Sequence, residues 1–300
     1  MKKFFNLKII LLLLCFITFV SFLFFKDNYE SIQTNAPVLL KDEFTIDLTG
    51  DGIPETIKTI NKKNKGDVQI ITSNDTILLS SLTSSDYLSD VSDSYSMNVA
   101  ILNVSRNNKN EIIVQGYKDK KPITYLFAFE NNKFILKNSQ NNNIVGILDS
   151  NLNRTPMLQS FNCISLKNTF KNYMLLNDEL IDITNNSFED IGYINIIKFI
   201  DLMLVDYELS EVPDIFIQDI DKDTLSILWQ LDKESYSYSF KDAFFYDKFV
   251  DENGILTILD ITLKFEKLDK HNSKKTPFVI ELNLSRTDDG DFKISNIMKK

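Results

Sequence analysis

The chain has 300 residues, 43% of them hydrophobic, which is enough to bury a sizeable core and argues against wholesale disorder. Its formal net charge is −9 at pH 7, and three of its 33 basic residues fall within the first eight positions, so the remainder is more acidic still. A body of this sign repels phosphate backbones, which argues against a nucleic-acid partner and favours divalent cations or basic surfaces. With one histidine and two cysteines, the chain cannot build a multi-histidine zinc site, and a histidine-based catalytic triad is disfavoured.

The N-terminus carries an apolar segment. Residues 9–25, "IILLLLCFITFVSFLFF", contain no charge and follow three lysines. This length reaches the lower limit of a bilayer span, and the positive-inside rule places the short N-terminus in the cytoplasm. We therefore expect residues 1–26 to form a signal anchor, a single-pass transmembrane helix in the cell membrane with the body outside the cytoplasm. Residues 27–40 would then be a tether. A cleaved signal remains the alternative, although the small residues at 34–36 lie far beyond the apolar core.

Four nine-residue stretches further along the chain share one pattern. They read "DLTGDGIPE" (47–55), "NVSRNNKNE" (103–111), "DSNLNRTPM" (149–157) and "DYELSEVPD" (206–214). Oxygen-bearing side chains stand at positions one, three and five of all four, and an acid stands at position nine of three. Apolar runs of strand type flank each stretch, for example "EFTI" before the first and "FIDLMLV" before the fourth. The pattern predicts a repeated strand–loop–strand unit of about 50 residues.

The runs between these loops also predict strands. Alternating, β-branched and aromatic segments such as "ITYLFAFE", "TLSILWQL" and "SYSYSFKDAFFYD" are separated by polar turns. The ending, 277–297, predicts a hairpin with "DDGD" in its turn, and no amphipathic helix is predicted beyond the leader. Three or four strands per unit indicate an all-β, β-propeller-like array of about five blades over residues 41–300. Residues 220–300 could instead form a separate small β subdomain.

The motif "DLTGDGIPE" between two strands resembles the FG-GAP or VCBS repeats of integrin α-like β-propellers. In that family these positions ligate Ca²⁺, which prefers several hard oxygen ligands. The resemblance implies a first calcium set, formed by Asp47, Thr49, Asp51, Glu55 and the Ile53 carbonyl. It implies a second set, formed by Asp206, Glu208, Ser210, Asp214 and the Val212 carbonyl.

Other interpretations of these loops remain. An EF-hand is excluded, because position twelve of the first loop is Lys58 and the flanks are β-branched. The loops at 103–111 and 149–157 carry fewer acids, so we expect them to be polar turns that kept the loop shape without an ion. Each stretch could also be an Asx-turn whose side chains accept local backbone N–H groups.

These features predict a membrane-anchored extracytoplasmic binding or interaction module without catalysis. Calcium would stiffen one or two of its blades, and its partner would be a cell-surface protein or glycan. The alternative is a cell-surface glycosidase or other hydrolase on a five-bladed propeller, using a pair of carboxylates. A purely structural subunit is a third reading. We expect Trp229 and the aromatic run at 236–249 to belong to the core rather than to a ligand platform.

Overall fold

The computed structural model describes residues 32–33, 36–40, 42–149, 155–185, 190–205 and 213–300. The protein is mainly β, with 52% strand and 11% helix, and its sheets curl into a half-barrel. The all-β class is therefore confirmed, but the described residues do not form a closed ring of five blades. No helix within them is long and apolar enough to cross a membrane, and the predicted anchor at 1–26 lies outside them.

The first sheet has ten strands and is built from the N-terminal half of the chain. In chain order the first eleven strands are β1 (Ile32–Gln33), β2 (Val38–Leu39), β3 (Glu43–Ile46), β4 (Glu55–Lys62), β5 (Lys65–Ile71), β6 (Thr76–Leu78), β7 (Ser89–Asp90), β8 (Asn98–Leu102), β9 (Glu111–Lys118), β10 (Lys121–Glu130) and β11 (Lys133–Gln140). All of these except β1 belong to this sheet, and all its pairings are antiparallel.

The second sheet has nine strands and holds the C-terminal half. Its later strands are β12 (Ile144–Leu148), β13 (Met157–Phe161), β14 (Lys171–Leu176), β15 (Glu179–Asp182), β16 (Tyr236–Val250), β17 (Leu256–Asp269), β18 (Lys275–Arg286) and β19 (Phe292–Lys299). Two meanders, β12–β15 and β16–β19, join through a parallel pairing of β12 with β16. The predicted C-terminal hairpin is confirmed as β18 and β19, with its turn at 287–291.

Residues of the predicted tether contribute strands to both sheets. β1 pairs with the end of β16, through Val250 and Phe249, whereas β2 pairs with β8. The predicted tether therefore takes part in one sheet at residues 32–33 and in the other at residues 38–39.

The expectation that no helix follows the leader is wrong. The structure contains a one-turn helix α1 (Leu166–Thr169) and two longer ones, α2 (Tyr193–Leu204) and α3 (Lys222–Trp229). All of the run "FIDLMLV" except its last residue belongs to α2, and all of "TLSILWQL" except its last two belongs to α3, so neither is a strand. In α2 the buried side chains of Tyr193, Ile196, Phe199, Ile200 and Met203 recur at three- and four-residue intervals, which is the helical period. Trp229, expected in the core, ends α3 with 61% of its surface exposed.

Three hairpins share one register. The pairs that close them are Ile46 with Glu55, Leu102 with Glu111, and Leu148 with Met157, so each loop contains eight residues. This confirms the predicted strand–loop–strand unit for the first three stretches. The fourth is not equivalent, because the segment before residue 206 is helix α2 rather than a strand.

Most of the tight turns that follow these loops are built without glycine. Four two-residue turns have positive φ at both positions, at 63–64, 119–120, 131–132 and 177–178. This is the type I′ geometry, whose twist matches that of the flanking strands. Asn and Asp supply six of the eight positions and Lys two, which explains how a β protein with only 8 glycines makes its hairpins.

The core has three parts. One cluster lies within each sheet, the larger one between the second sheet and helices α2 and α3. The third cluster joins the sheets and includes Ala100, Ile113, Val145, Ile147 and Phe244. Polar contacts continue this junction: Gln115 Nε2 donates to the Ala243 carbonyl at 2.9 Å, and the Tyr95 hydroxyl donates to Asp242 Oδ2 at 2.9 Å.

Candidate functional site

The first loop is organised by its own carboxylates. Asp47 Oδ1 accepts the N–H groups of Thr49 at 3.1 Å and Gly50 at 2.6 Å, and its Oδ2 accepts that of Gly52 at 2.8 Å. Gly50 and Gly52 have φ of 77° and 83°, the left-handed values that allow the chain to fold around Asp47. Burial raises the pKa of Asp47, but these backbone donors outweigh it and hold the pKa below its ordinary value. The carboxylate is therefore kept ionised.

Position nine closes each of the first two loops in the same way. Glu55 Oε2 accepts the N–H of Leu48, at position two, at 2.8 Å. Glu111 Oε2 accepts the N–H of Val104, the equivalent residue, at 2.6 Å, and also that of Ser105 at 3.2 Å. Both glutamates are buried, at 4% and 2% exposure, so these bonds are shielded from water. The acid at position nine is thus a clasp for the backbone in this structure.

The third loop has Met157 at position nine and takes its acceptor from elsewhere. Asp247, on β16, accepts the N–H of Asp149 at 2.6 Å through its Oδ2. Asp247 is 2% exposed and directly follows Tyr246, the last residue of β16 in the parallel pairing that joins the two meanders. A carboxylate from a different strand thus accepts a backbone N–H of the third loop, at position one rather than at position two.

The three loops lie next to one another. Asn110 Nδ2, in the second loop, donates to the carbonyl of Asp47 at 2.7 Å. A Cβ on Gly50 would come within 2.9 Å of the Asn108 carbonyl, so the two loops touch along their backbones. Arg106 of the second loop forms an ion pair with Asp149 of the third. The first loop thus contacts the second, and the second contacts the third at Asp149, so the described parts of the three loops lie in one row.

A cleft of about 450 Å³ opens where this row meets the N-terminal strands and β16. Its apolar walls come from both sheets and from the segment around β2: Pro37, Val38, Ile46, Ile101, Ile147 and Pro156. Its polar groups come mainly from the second and third loops and from β16: Asn103, Arg106, Asn108, Asn110, Asp149, Tyr246 and Asp247. Mixed walls with a few convergent polar groups are typical of ligand sites, and the volume lies within their usual range of about 300–1,000 Å³.

The electrostatics of the cleft centre on Asp149. Burial raises the pKa of this carboxyl, and the charge and hydrogen bond of Arg106 act in the opposite direction. Only one oxygen pairs with Arg106; Asp149 Oδ1 is buried and has no hydrogen-bond partner within the described part of the chain. The same holds for Asn103 Oδ1. Two neighbouring loops thus each hold an unused acceptor.

The predicted calcium ligands are only partly brought together. Asp47, Thr49, Asp51, Ile53 and Glu55 lie in one loop, where Asp51 Oδ1 accepts the Ile53 N–H at 2.8 Å and Thr49 Oγ1 is buried without a partner among the described residues. Of the second set, residues 206–212, which include Asp206, Glu208, Ser210 and Val212, lie outside the described ranges. Asp214 is 90% exposed at its side chain and pairs with Lys293 on β19, away from the first loop. Among the described residues, no group of three or more His, Cys, Asp or Glu side chains is arranged to hold a metal.

Sequence reasoning missed the cleft itself. Arg106 and Asn108 occupy loop positions that the repeat pattern leaves unspecified, and both have positive φ. Tyr246 and Asp247 lie in the aromatic run, where they read as ordinary strand residues. The one signal in the sequence was the missing acid at position nine of the third loop, which set this loop apart from the first two.

The fold and the cleft together define a mainly antiparallel β protein with three repeated hairpin loops and a mixed polar–apolar cleft beside them. No family model matches the chain, and no curated protein or solved structure shows significant similarity to it. The assignment to FG-GAP or VCBS repeats therefore stays a hypothesis that rests on the motif at 47–55.

Proposed function

We propose that this protein is a membrane-anchored extracytoplasmic binding module, and that the cleft beside the three loops receives its ligand, a cell-surface protein or glycan. The observation that carries the proposal is the convergence of the second and third repeat loops, the segment around β2, and strands β3 and β16 on one cavity of about 450 Å³. Binding sites are commonly made by loops that a rigid scaffold holds in place. The anchor is residues 1–26, as the sequence indicates.

The composition of the cleft supports binding rather than histidine- or cysteine-dependent catalysis. His271 lies in the turn between β17 and β18, and neither it nor Cys163 is among the cleft's described lining residues. Burial also raises the pKa of the Cys163 thiol, which disfavours the reactive thiolate.

Substitutions on the two sides of the cleft test this proposal. The full chain, in detergent micelles, is screened against a glycan array and in pull-downs from cell-surface extracts. The variants Arg106→Ala and Asp149→Asn should change the affinity for any ligand by at least about tenfold, which corresponds to about 1.4 kcal/mol. Arg286→Ala and Asp182→Asn, which remove the same charges from other surfaces, serve as controls. If the affinity for a ligand changes equally in all four variants, the binding site lies elsewhere.

Calcium at the first loop is a second part of the proposal. The residues fit the ion in part: Asp47 is held ionised, and Thr49 contributes an oxygen with no partner among the described residues. Asp51, Glu55 and the Ile53 carbonyl would complete the set, and the ion would stiffen the loop next to the cleft. Calorimetric titration of the full chain with CaCl₂ should give heat and a raised Tm, and Asp51→Asn, which copies Asn107 of the second loop, should remove both. Identical titrations for wild type and Asp51→Asn would rule out the ion at this loop.

One observation favours the hydrolase alternative. Two carboxylates, Asp149 and Asp247, line the same cleft, as acid–base chemistry on a glycosidic bond requires. Asp247, however, is engaged by the backbone N–H of Asp149, which gives it a structural role. A screen with chromogenic glycosides decides between the alternatives: turnover that Asp149→Asn abolishes would establish the hydrolase.

A further inference from the structure

The cleft has a defined electrostatic character. Its described lining residues include two carboxylates, Asp149 and Asp247, and one cation, Arg106. The surplus is negative, in keeping with the acidic body of the chain. A ligand with positive charge is therefore favoured over an anion.

The unused hydrogen-bonding groups point in the same direction. Asn103 Oδ1 and Asp149 Oδ1 are buried and lack partners within the described residues. Both atoms are acceptors, and a buried acceptor without a donor costs free energy. A ligand group that replaces the Arg106 guanidinium and presents N–H donors would be able to pair with Asp149, whereas one that presents only acceptors would not.

Arg106 shows how a cation sits in this cleft. Its guanidinium pairs with Asp149, but its side chain is 45% exposed, so it is held on one side only. Its φ of 55° places a bulky residue in the left-handed region, a conformation that few residues other than glycine adopt. The chain thus accepts backbone strain at the residue that supplies the pairing charge.

We propose that the cleft binds the guanidinium or ammonium group of a basic side chain on a partner protein, and that Arg106 occupies the place of this group in the free protein. The inference rests on the proposed function and specifies the chemical class of the ligand as a protein with a basic side chain. The apolar walls formed by Ile46, Ile101 and Ile147 suit the aliphatic stem of arginine or lysine, while Asp149 and Asn103 receive the charged head.

The three wall isoleucines provide a direct readout. The full chain in detergent micelles, labelled with ¹³C at isoleucine δ1 methyl groups, is titrated with N-acetyl-arginine amide and N-acetyl-lysine amide. N-acetyl-citrulline amide, the neutral analogue of the arginine compound, is the control. We expect both basic compounds to shift the methyl signals of Ile46, Ile101 and Ile147, with the citrulline compound at least tenfold weaker.

Two variants test the assigned roles. Asp149→Asn, which removes the charge and keeps the shape, should weaken the arginine compound at least tenfold. Arg106→Gln should strengthen it at least threefold, because the internal competitor is gone. The side chain of Arg106 is exposed, so Arg106→Gln should not disturb folding. The test therefore stays valid if Asp149→Asn fails to fold.

The outcomes separate this inference from the function on which it rests. Equal binding of the citrulline and arginine compounds, or weaker binding in Arg106→Gln, would overturn the inference. Neutral glycans that shift the three methyl signals while arginine does not would overturn it and leave the binding module standing. A partner whose binding leaves all three signals in place would overturn both.

Discussion

The clasp at position nine leads to a quantitative prediction. Glu111→Met removes the carboxylate that accepts the N–H groups of Val104 and Ser105, and it places in the second loop the residue that the third loop has at the same position. In the third loop Asp247 accepts the N–H of Asp149, whereas none of the hydrogen bonds described at the second loop would replace Glu111. Val104 is 1% exposed, so water cannot replace the lost acceptor of its N–H. An unpaired buried donor of this kind lowers the stability of the fold by about 1–3 kcal/mol.

Two further effects determine the net change in the free energy of unfolding that Glu111→Met causes. Ser105 is half-buried, so water can satisfy part of its N–H and its contribution is small. Burial raises the pKa of Glu111, which means that the ionised side chain itself destabilises the fold, and methionine removes that cost. We therefore expect Glu111→Met to lower the free energy of unfolding by about 1–2 kcal/mol and the Tm by about 2–8 °C.

Glu111→Gln is the matched control. Glutamine keeps an acceptor for the backbone N–H groups, can donate to the Ser105 hydroxyl and carries no charge, so it should equal or exceed wild type at pH 7. Because a raised acid pKa gives stability that is lost as pH rises from the ordinary value of 4.5 through the folded value, the advantage of glutamine should shrink towards pH 4.5. Urea denaturation at pH 5 and pH 8 measures both variants. A methionine variant at least as stable as the glutamine variant would refute the clasp.

Three other substitutions test the junction and the turns. Asp242→Asn should stabilise the protein at pH 8 and less so near pH 4, since burial raises the pKa of Asp242. Asparagine also keeps an acceptor for the Tyr95 hydroxyl. Urea denaturation that shows a lower stability of the variant at pH 8 would contradict this. Gly146→Ala should lower the free energy of unfolding by about 1–3 kcal/mol through overpacking, because its Cβ would lie 2.1 Å from the Phe245 ring. Phe245→Leu in the same chain should recover part of this loss. A double-mutant cycle without coupling would show that the two residues do not meet. Replacing Lys63–Asn64 with Asn–Gly should raise the free energy of unfolding by about 0.5–2 kcal/mol, since both positions have positive φ; unchanged thermal unfolding would indicate that the turn carries no strain.

The sequence predicts the repeated hairpins because their information is local. Polar loop positions and β-branched flanks lie within about twenty residues of each other, and the three closing registers follow from them. The fourth copy misleads for a physical reason. A segment such as "FIDLMLV" is apolar throughout, and a short apolar run does not distinguish a buried helix from a strand. Only the spacing of its buried residues within the longer stretch from Tyr193 reveals helix α2.

The cleft and the sheet junction depend on contacts between distant residues and could not be read from the chain. Asp149 and Asp247 are 98 residues apart, and the bond between Tyr95 and Asp242 spans 147. The repeat pattern also draws attention to the loop acids as ion ligands, whereas two of them, Glu55 and Glu111, turn inwards to the backbone. From sequence alone, a carboxylate that accepts a backbone N–H cannot be distinguished from one that binds an ion.

The pairing of β1 with one sheet and of β2 with the other has a mechanical consequence. β1 and β2 each pair through only two residues, whereas β16 and β17 pair along most of their length. Tension applied at the N-terminus would therefore load these two short pairings first. Residues 36–38 also form one wall of the cleft, so a pull strong enough to detach them would widen the cavity while the long strands stayed intact.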